Sequence, residues 1–215
     1  MSSSILCYSE KNFTSLCDEL AKRDADLHKI ILRHGYPSPW VRPNTFQTLV
    51  LSILEQQVSL AAAYAAFDRL RKKIGLVTPK KLMALTDAEL RDCYFTRQKI
   101  VYARGLAQAV ISKQIRLRNM EQLSDQEVYE QLIPLKGIGP WTIDVYLMHA
   151  LRRTDQFPLG DVALVNSLKK VKRMRPTVSK ERMLTVAAKW KPYRSIAAFI
   201  LWHAYMQEKG TRISH

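Results

Sequence analysis

The sequence predicts an all-α protein of about ten helices gathered in two lobes. Three observations predict it: apolar residues recur at helical spacing, capping residues punctuate those stretches, and no segment alternates as a strand would. The chain has 215 residues, 47% of them hydrophobic, which is enough to fill a core.

The elements follow from their caps. Asn44 precedes an apolar-periodic stretch from Thr45 to Leu54, and Ser59 opens a second that runs to Ile74 and stops at Gly75. Thr78-Pro79 reads as an N-cap with proline at the first helical position, and Thr86-Asp87-Ala88-Glu89 as a capping box. Thr96 caps a helix that carries Ile100, Ala103, Leu106, Ala107 and Val110 on one face. Ser124-Asp125-Gln126-Glu127 is another capping box, opening a helix to about Leu132, and Pro140 begins the next. Val162-Ala163-Leu164 starts a helix after Asp161, and Pro192 opens the last, from Tyr193 to about Gln207. The whole is read as one domain, 1–215, with a helical hairpin over about 124–150.

Gly137 and Gly139 fall in the turn of that hairpin, in Leu135-Lys136-Gly137-Ile138-Gly139-Pro140-Trp141-Thr142. Glycine permits φ > 0 and carries no Cβ to hold a phosphate away. The helix opened by Pro140 then aims unpaired N–H groups and the positive end of its dipole at an anion. A plain structural corner would use the same Gly-x-Gly, and the charge balance favours the anion. Lys and Arg number 34 against 19 Asp and Glu, a net charge of +15. Such an excess points to a polyanion bound through its phosphates. The cations recur along the chain, at Arg69 to Lys73, Arg152-Arg153, Lys169 to Arg175 and Lys189 to Arg194, so they belong to a folded surface and not to a tail.

Other classes are excluded. No apolar run is long enough to span a membrane, and Met1 to Cys7 lacks a basic start and an apolar signal core. The expected location is intracellular: cytoplasm or nucleoid in a bacterium, nucleus in a eukaryote. Cys7, Cys17 and Cys93 are scattered, which fits reduced buried thiols and cannot supply a four-cysteine iron–sulfur site. One interruption breaks the pattern: Glu55-Gln56-Gln57-Val58-Ser59 is polar between two apolar runs. It reads either as a water-exposed helix junction or as the place from which a side chain fills the gap left by a flipped base.

Five segments occur in a familiar order: Ser52 to Ser59, Thr96 to Ala107, Gly137 to Thr142, Gly160-Asp161, and Trp190 to Ser195 with Leu201-Trp202. Over about residues 45 to 205 they resemble the helix-hairpin-helix (HhH-GPD) DNA glycosylases, within them the 3-methyladenine DNA glycosylase II, or alkylpurine glycosylase, branch. The resemblance implies a two-lobed helical glycosylase fold with a DNA-binding cleft. Only about forty residues precede the matching region, so the N-terminal β-domain of some bacterial members is expected to be absent.

The resemblance implies that Asp161 is the catalytic aspartate, since a carboxylate beside the sugar stabilises the positive charge formed as the base leaves. By the residues alone Asp161 reads as the cap of the helix beginning Val162-Ala163-Leu164. Trp141 and Trp202 match aromatic pocket positions, where ring faces attract a cationic alkylated base. Relatives that also cut the backbone place a lysine where this chain has Trp141, so water is the expected nucleophile. Lys136, Gly137, Ile138, Gly139 and Thr142 match the DNA-binding hairpin, and Gln57 the position of a wedge leucine. Val145 stands where a pocket tyrosine is found and Val162 where another aromatic is expected, which implies a wider or less aromatic pocket. The implied reaction is hydrolysis of alkylated bases from double-stranded DNA by a monomer. No cofactor or iron–sulfur cluster is required, and a structural monovalent cation at the hairpin is compatible with it. A noncatalytic helix-hairpin-helix DNA-binding protein and a glycosylase for oxidised or deaminated bases are the alternatives.

Overall fold

The structure is a computed structural model, and it describes residues 5–210. The expectation that the first residues form no signal segment lies largely outside them, since Met1 to Ser4 precede the described part. Twelve α-helices and one short 3-10 helix, Leu117–Gln122, make up the described residues, and an isolated antiparallel bridge between Cys7 and Arg153 is their one β feature. No described helix is long and apolar enough to cross a membrane.

Two compact units divide the chain: Arg42–Tyr146 forms one, and residues up to Val41 together with those from Leu147 onward form the other. In the first unit α3 (Phe46–Glu55) packs against α4 (Leu60–Ile74) and α7 (Arg97–Ile111), with α5 (Pro79–Ala84) and α6 (Asp87–Asp92) on α7. Nine of ten positions of α3 are buried, as expected of a helix apolar on every face. The capping residues act as their chemistry requires: Ser59, Thr78 and Thr96 each accept a backbone N–H of the first turn, and Thr86 with Glu89 and Ser124 with Glu127 form complete capping boxes. Asn44 does not cap α3, whose N-cap is Thr45. Its amide donates to Leu117 O at 2.9 Å and its oxygen accepts Tyr146 OH at 2.6 Å. The unit also contains α8 (Asp125–Leu132) and most of α9 (Pro140–His149).

The second unit is built around α12 (Arg194–Lys209), which packs on α1 (Phe13–Arg23), α2 (Ala25–His34) and α10 (Val162–Val171). Ile196, Phe199, Ile200 and Leu201 of α12 are buried, each contributing about 1.5–3 kcal/mol relative to exposure. Ser167 Oγ of α10 donates to Leu201 O at 2.6 Å, and α11 (Lys180–Ala188) leads into the buried Trp190. Asp24 ties these elements together. Its carboxylate caps α2 through the N–H groups of Asp26 and Leu27, and accepts Trp190 Nε1 at 2.8 Å and Lys172 Nζ at 2.6 Å. All three cysteines are free, as expected of reduced thiols, but only two are buried. Burial pushes the Cys17 thiol up to about 12 and raises Cys93, whereas Cys7 lies exposed in the bridge with Arg153.

Candidate functional site

The hairpin is one candidate group, within the unit Arg42–Tyr146. The helix α8 ends at Leu132 and α9 begins at Pro140, so Gly137 and Gly139 lie between helices. Only Gly137 adopts the left-handed backbone, at φ +88°, and a Cβ there would run into the ring of Tyr102. Gly139 has an ordinary φ, and a Cβ at that position would meet nothing within 4 Å. The two glycines therefore differ: the first makes the turn, and the second leaves open space where a ligand can approach. Among the described residues no protein acceptor meets the N–H of either glycine, while Ile138 N–H donates to Leu135 O at 2.9 Å. Ile138 is buried and anchors the turn by its side chain, and Lys136 is exposed beside it.

Thr142 is also buried, and its hydroxyl accepts a hydrogen bond from Gln56 Nε2 at 3.0 Å. The same amide donates to Gly137 O at 2.7 Å. Gln56 thus clamps both ends of the hairpin from the polar interruption after α3, a role not read from the sequence. The rest of that interruption is shared between structure and surface. Glu55 is buried and pairs with both terminal nitrogens of Arg42, at 2.6 and 2.8 Å. Lys99 Nζ donates to Leu54 O at 2.7 Å, closing the C-terminus of α3, and burial lowers its ammonium below the ordinary lysine value. Within the interruption Gln57 combines exposure with a strained backbone, at φ +58°, followed by exposed Val58 and Leu60. Such strain in a non-glycine residue persists where its surroundings fix it, and here Gln56 is held by the hairpin on one side while Ser59 caps α4 on the other.

Three oxygens of the hairpin turn, those of Leu135, Gly137 and Gly139, each accept one protein hydrogen bond and keep a second lone pair. Carbonyl oxygens with a spare lone pair are the donor type that a monovalent cation takes. Among the described residues no three His, Cys, Asp or Glu side chains gather as a metal-binding group.

A separate candidate group is Asp161, which belongs to the other unit. It caps α10, accepting Leu164 N–H at 2.8 Å, and the same oxygen accepts Trp202 Nε1 at 3.0 Å. Cap and candidate catalyst are one residue, and the two donors fix its carboxylate. Trp202 is only 5% exposed; its ring lies nearly parallel to Trp40, centroids 5.4 Å apart, and to His149, 5.9 Å apart. His149 is in turn held to Trp40 O through Nδ1 at 2.6 Å. Trp202 therefore meets Asp161 through its N–H instead of presenting an open ring face. Trp141 is partly exposed in the first turn of α9, Val145 is buried one turn on, and Val162 is 72% exposed beside Asp161.

The structure brings Gly137, Thr142 and Gln56 together in one cluster, and Asp161 with Trp202 in another. The model for the HhH-GPD superfamily base excision DNA repair protein matches residues 50–192. A DNA-3-methyladenine glycosylase of Bacillus subtilis is 32% identical over 172 residues, covering 74% of this chain and 57% of the relative. DNA-3-methyladenine glycosylase 1 of Schizosaccharomyces pombe is 30% identical over 161 residues, 73% of this chain and 71% of the relative. A solved structure of the 3-methyladenine DNA glycosylase of S. pombe in complex with abasic DNA has a TM-score of 0.81 at 27% identity, covering 87% of this chain and 95% of that one. The chain thus spans less than two thirds of the B. subtilis relative, at 57% of its length.

Proposed function

Since the chain belongs to the HhH-GPD superfamily of base excision DNA repair proteins, we propose that it is a monofunctional DNA glycosylase for alkylated bases of the 3-methyladenine and 7-methylguanine type. It acts as a monomer on double-stranded DNA and leaves an abasic site. The observation that carries this reading is the carboxylate of Asp161, fixed by Leu164 N–H and Trp202 Nε1.

Chemistry follows from that placement. When the bond between the sugar C1′ and the base nitrogen breaks, its electron pair leaves with the base and positive charge develops on the sugar. A carboxylate held rigidly beside that carbon stabilises the transition state without reorganising. It also orients the attacking water and takes up its proton, so that the products are free base and abasic sugar. An alkylated base is already cationic, hence a good leaving group, and the ring of Trp141 attracts it by about 0.5–2 kcal/mol. Trp141 carries no amine, which supports water as the nucleophile.

The hairpin supplies the grip. Its N–H groups and the N-terminal dipole of α9 suit a phosphate, a contact that positions DNA without reading sequence. Gln57, exposed at a turn, is read as the side chain that fills the gap left by the extruded nucleotide, with an amide able both to donate to and to accept from the orphaned base. A monovalent cation on the turn carbonyls would stiffen that grip, and no step of the reaction is routed through it.

The test is release of free methylated base from methylated duplex DNA, measured by chromatography, by the intact chain and by Asp161→Asn. Release by the former alone supports the reading. Duplex binding with no release by the intact chain would make this a noncatalytic DNA-binding protein with Asp161 as a cap, and release confined to oxidised or deaminated bases would reassign the substrate.

A further inference from the structure

The two ends of α10 carry different chemistry. Asp161 stands at its N-terminus, and its C-terminus leads through Lys172 into a turn bearing Arg173, at φ +51°, and Arg175. With Arg23, Arg182 and Lys189 these residues line a groove of about 680 Å³, wholly within one unit. Six cations thus face two carboxylates, Asp24 and Asp26. Both carboxylates are occupied by Lys172 Nζ, at 2.6 and 2.9 Å. Arg23 lies against the ring of Tyr193 and near Glu19. For the side chains of Arg173, Arg175, Arg182 and Lys189, no carboxylate, carbonyl or hydroxyl partner is present among the described residues.

Four cations gathered in a concavity repel one another, and their arrangement is complementary to an anion with several oxygens. Guanidinium groups in particular form paired hydrogen bonds with phosphate. The turn that presents Arg173 and Arg175 is already fixed. Met174 N–H donates to Lys169 O at 2.8 Å, Arg173 N–H to Lys170 O at 3.1 Å, and Lys169 Nζ to Pro176 O at 2.8 Å. Binding would therefore lose little entropy in ordering the loop. The ten residues of α10 separate this groove from Asp161 by about 15 Å. An anion held here is not the phosphate beside the reacting base.

Phosphate oxygens come either from a nucleic-acid backbone or from a free phosphorylated molecule. The net charge of +15 favours the backbone, because cations spread over several faces release counterions along an extended polyanion. We propose that this groove is a second DNA-backbone site, gripping phosphates remote from the lesion and strengthening attachment to undamaged duplex without entering the excision step. The proposal rests on the reading of the chain as a DNA glycosylase.

Its test compares two charge-matched triple variants of the full chain. Arg173→Gln/Arg175→Gln/Arg182→Gln empties the groove, and Lys11→Gln/Lys29→Gln/Arg33→Gln removes the same charge from exposed positions outside it. Affinity for an undamaged duplex of about 30 base pairs is read by anisotropy from about 50 to 200 mM salt. The groove variant is expected to bind about tenfold or more weakly, with a salt slope shallower by about 2–3, and the control to lose less than about threefold. Single-turnover release of methylated base at saturating enzyme should match the parent in both. Equal losses in the two variants would overturn the proposal in favour of net charge alone. Arginine Nε–H resonances of the groove that shift with inorganic pyrophosphate but not with duplex would overturn the DNA assignment. An intact chain that loses DNA affinity only in the groove variant, yet releases no base, would sink the glycosylase reading and leave the groove standing.

Discussion

Gln56 Nε2 stands 2.7 Å from Gly137 O and 3.0 Å from Thr142 Oγ1, joining the end of α3 to both sides of a turn 81 residues away in the chain. Its neighbour Gln57 is exposed, at φ +58°. Two adjacent glutamines thus do different things, and substitution separates them. Gln56→Ala leaves Gly137 O and Thr142 Oγ1 without this donor and should destabilise the fold by about 1–3 kcal/mol in urea titrations. It should also weaken binding to damaged and undamaged duplexes alike, because the hairpin is loosened. Unchanged stability would mean that the clamp is not formed in solution.

Gln57→Ala should leave the urea midpoint nearly unmoved and reduce excision more from a fully paired site than from a mismatched one, where opening is already partly accomplished. Gln57→Gly should do the same while relieving the left-handed strain. Equal losses of excision on paired and mismatched substrates would argue against a wedge at this position.

The glycines of the hairpin separate in the same way. Gly137→Ala puts a side chain at φ +88° and into the Tyr102 ring, so the chain should lose at least about 1–3 kcal/mol of stability. Gly139→Ala meets no neighbour and should fold like the parent, yet bind every duplex more weakly, since a methyl now stands where a phosphate approaches. A loss confined to damaged duplexes would contradict a phosphate contact.

Asp161→Asn keeps an oxygen for Leu164 N–H and so preserves the cap, but removes the charge. Excision should fall by two to four orders of magnitude, about the scale for removing a main electrostatic stabiliser, with melting temperature and duplex affinity retained. Trp202→Phe keeps an aromatic ring beside Trp40 and His149 but takes away the N–H that aims the carboxylate. A fall in kcat with KM unchanged is expected; if stability falls and kcat does not, Trp202 is packing only.

Much of this could be read from the chain because it is local. A capping box such as Ser124 with Glu127 spans four residues, and its sequence states its geometry. Asp161 as cap and Pro140 as first helical residue were legible for the same reason. The helices α1, α2 and α11 lie outside the elements that the caps and periodicity above predict. Asp24 and Ser179 do cap α2 and α11, so a signal existed there. The contacts that define the site join residues distant in sequence, and nothing in Glu55-Gln56-Gln57 says which glutamine turns inward. Likewise a tryptophan that stacks on a base and one that aims a carboxylate are written with the same letter, and only the position of Asp161 beside Trp202 distinguishes them.

The stability of the Asp24 hub should depend on pH. Burial raises the carboxyl of Asp24, but hydrogen bonds from Lys172 and Trp190 outweigh it and hold the group below the usual aspartate range. A group depressed in the folded state contributes stability that is fully present above its unfolded value, near 3.9, and is lost as pH falls through its folded value. The difference in unfolding free energy between the parent and Asp24→Asn should therefore be constant at neutral pH and shrink below about pH 4. A difference that stays constant down to the acid transition would remove Asp24 from the account.

The last expectation concerns strand cleavage. A lyase needs an amine that attacks C1′ and leaves a Schiff base, which borohydride reduces to a covalent adduct; water as nucleophile leaves none. The first turn of α9 offers Trp141 and no amine, and the nearest lysine in sequence, Lys136, is exposed on the far side of the glycine turn, where it suits a phosphate. Reaction on methylated duplex should give intact strands that break only on alkaline heating, with no adduct trapped. A borohydride-dependent adduct that disappears in Lys136→Ala would make this chain bifunctional, with Lys136 as its nucleophile, and would leave the roles of Gln56 and Gly137 in holding the hairpin unchanged.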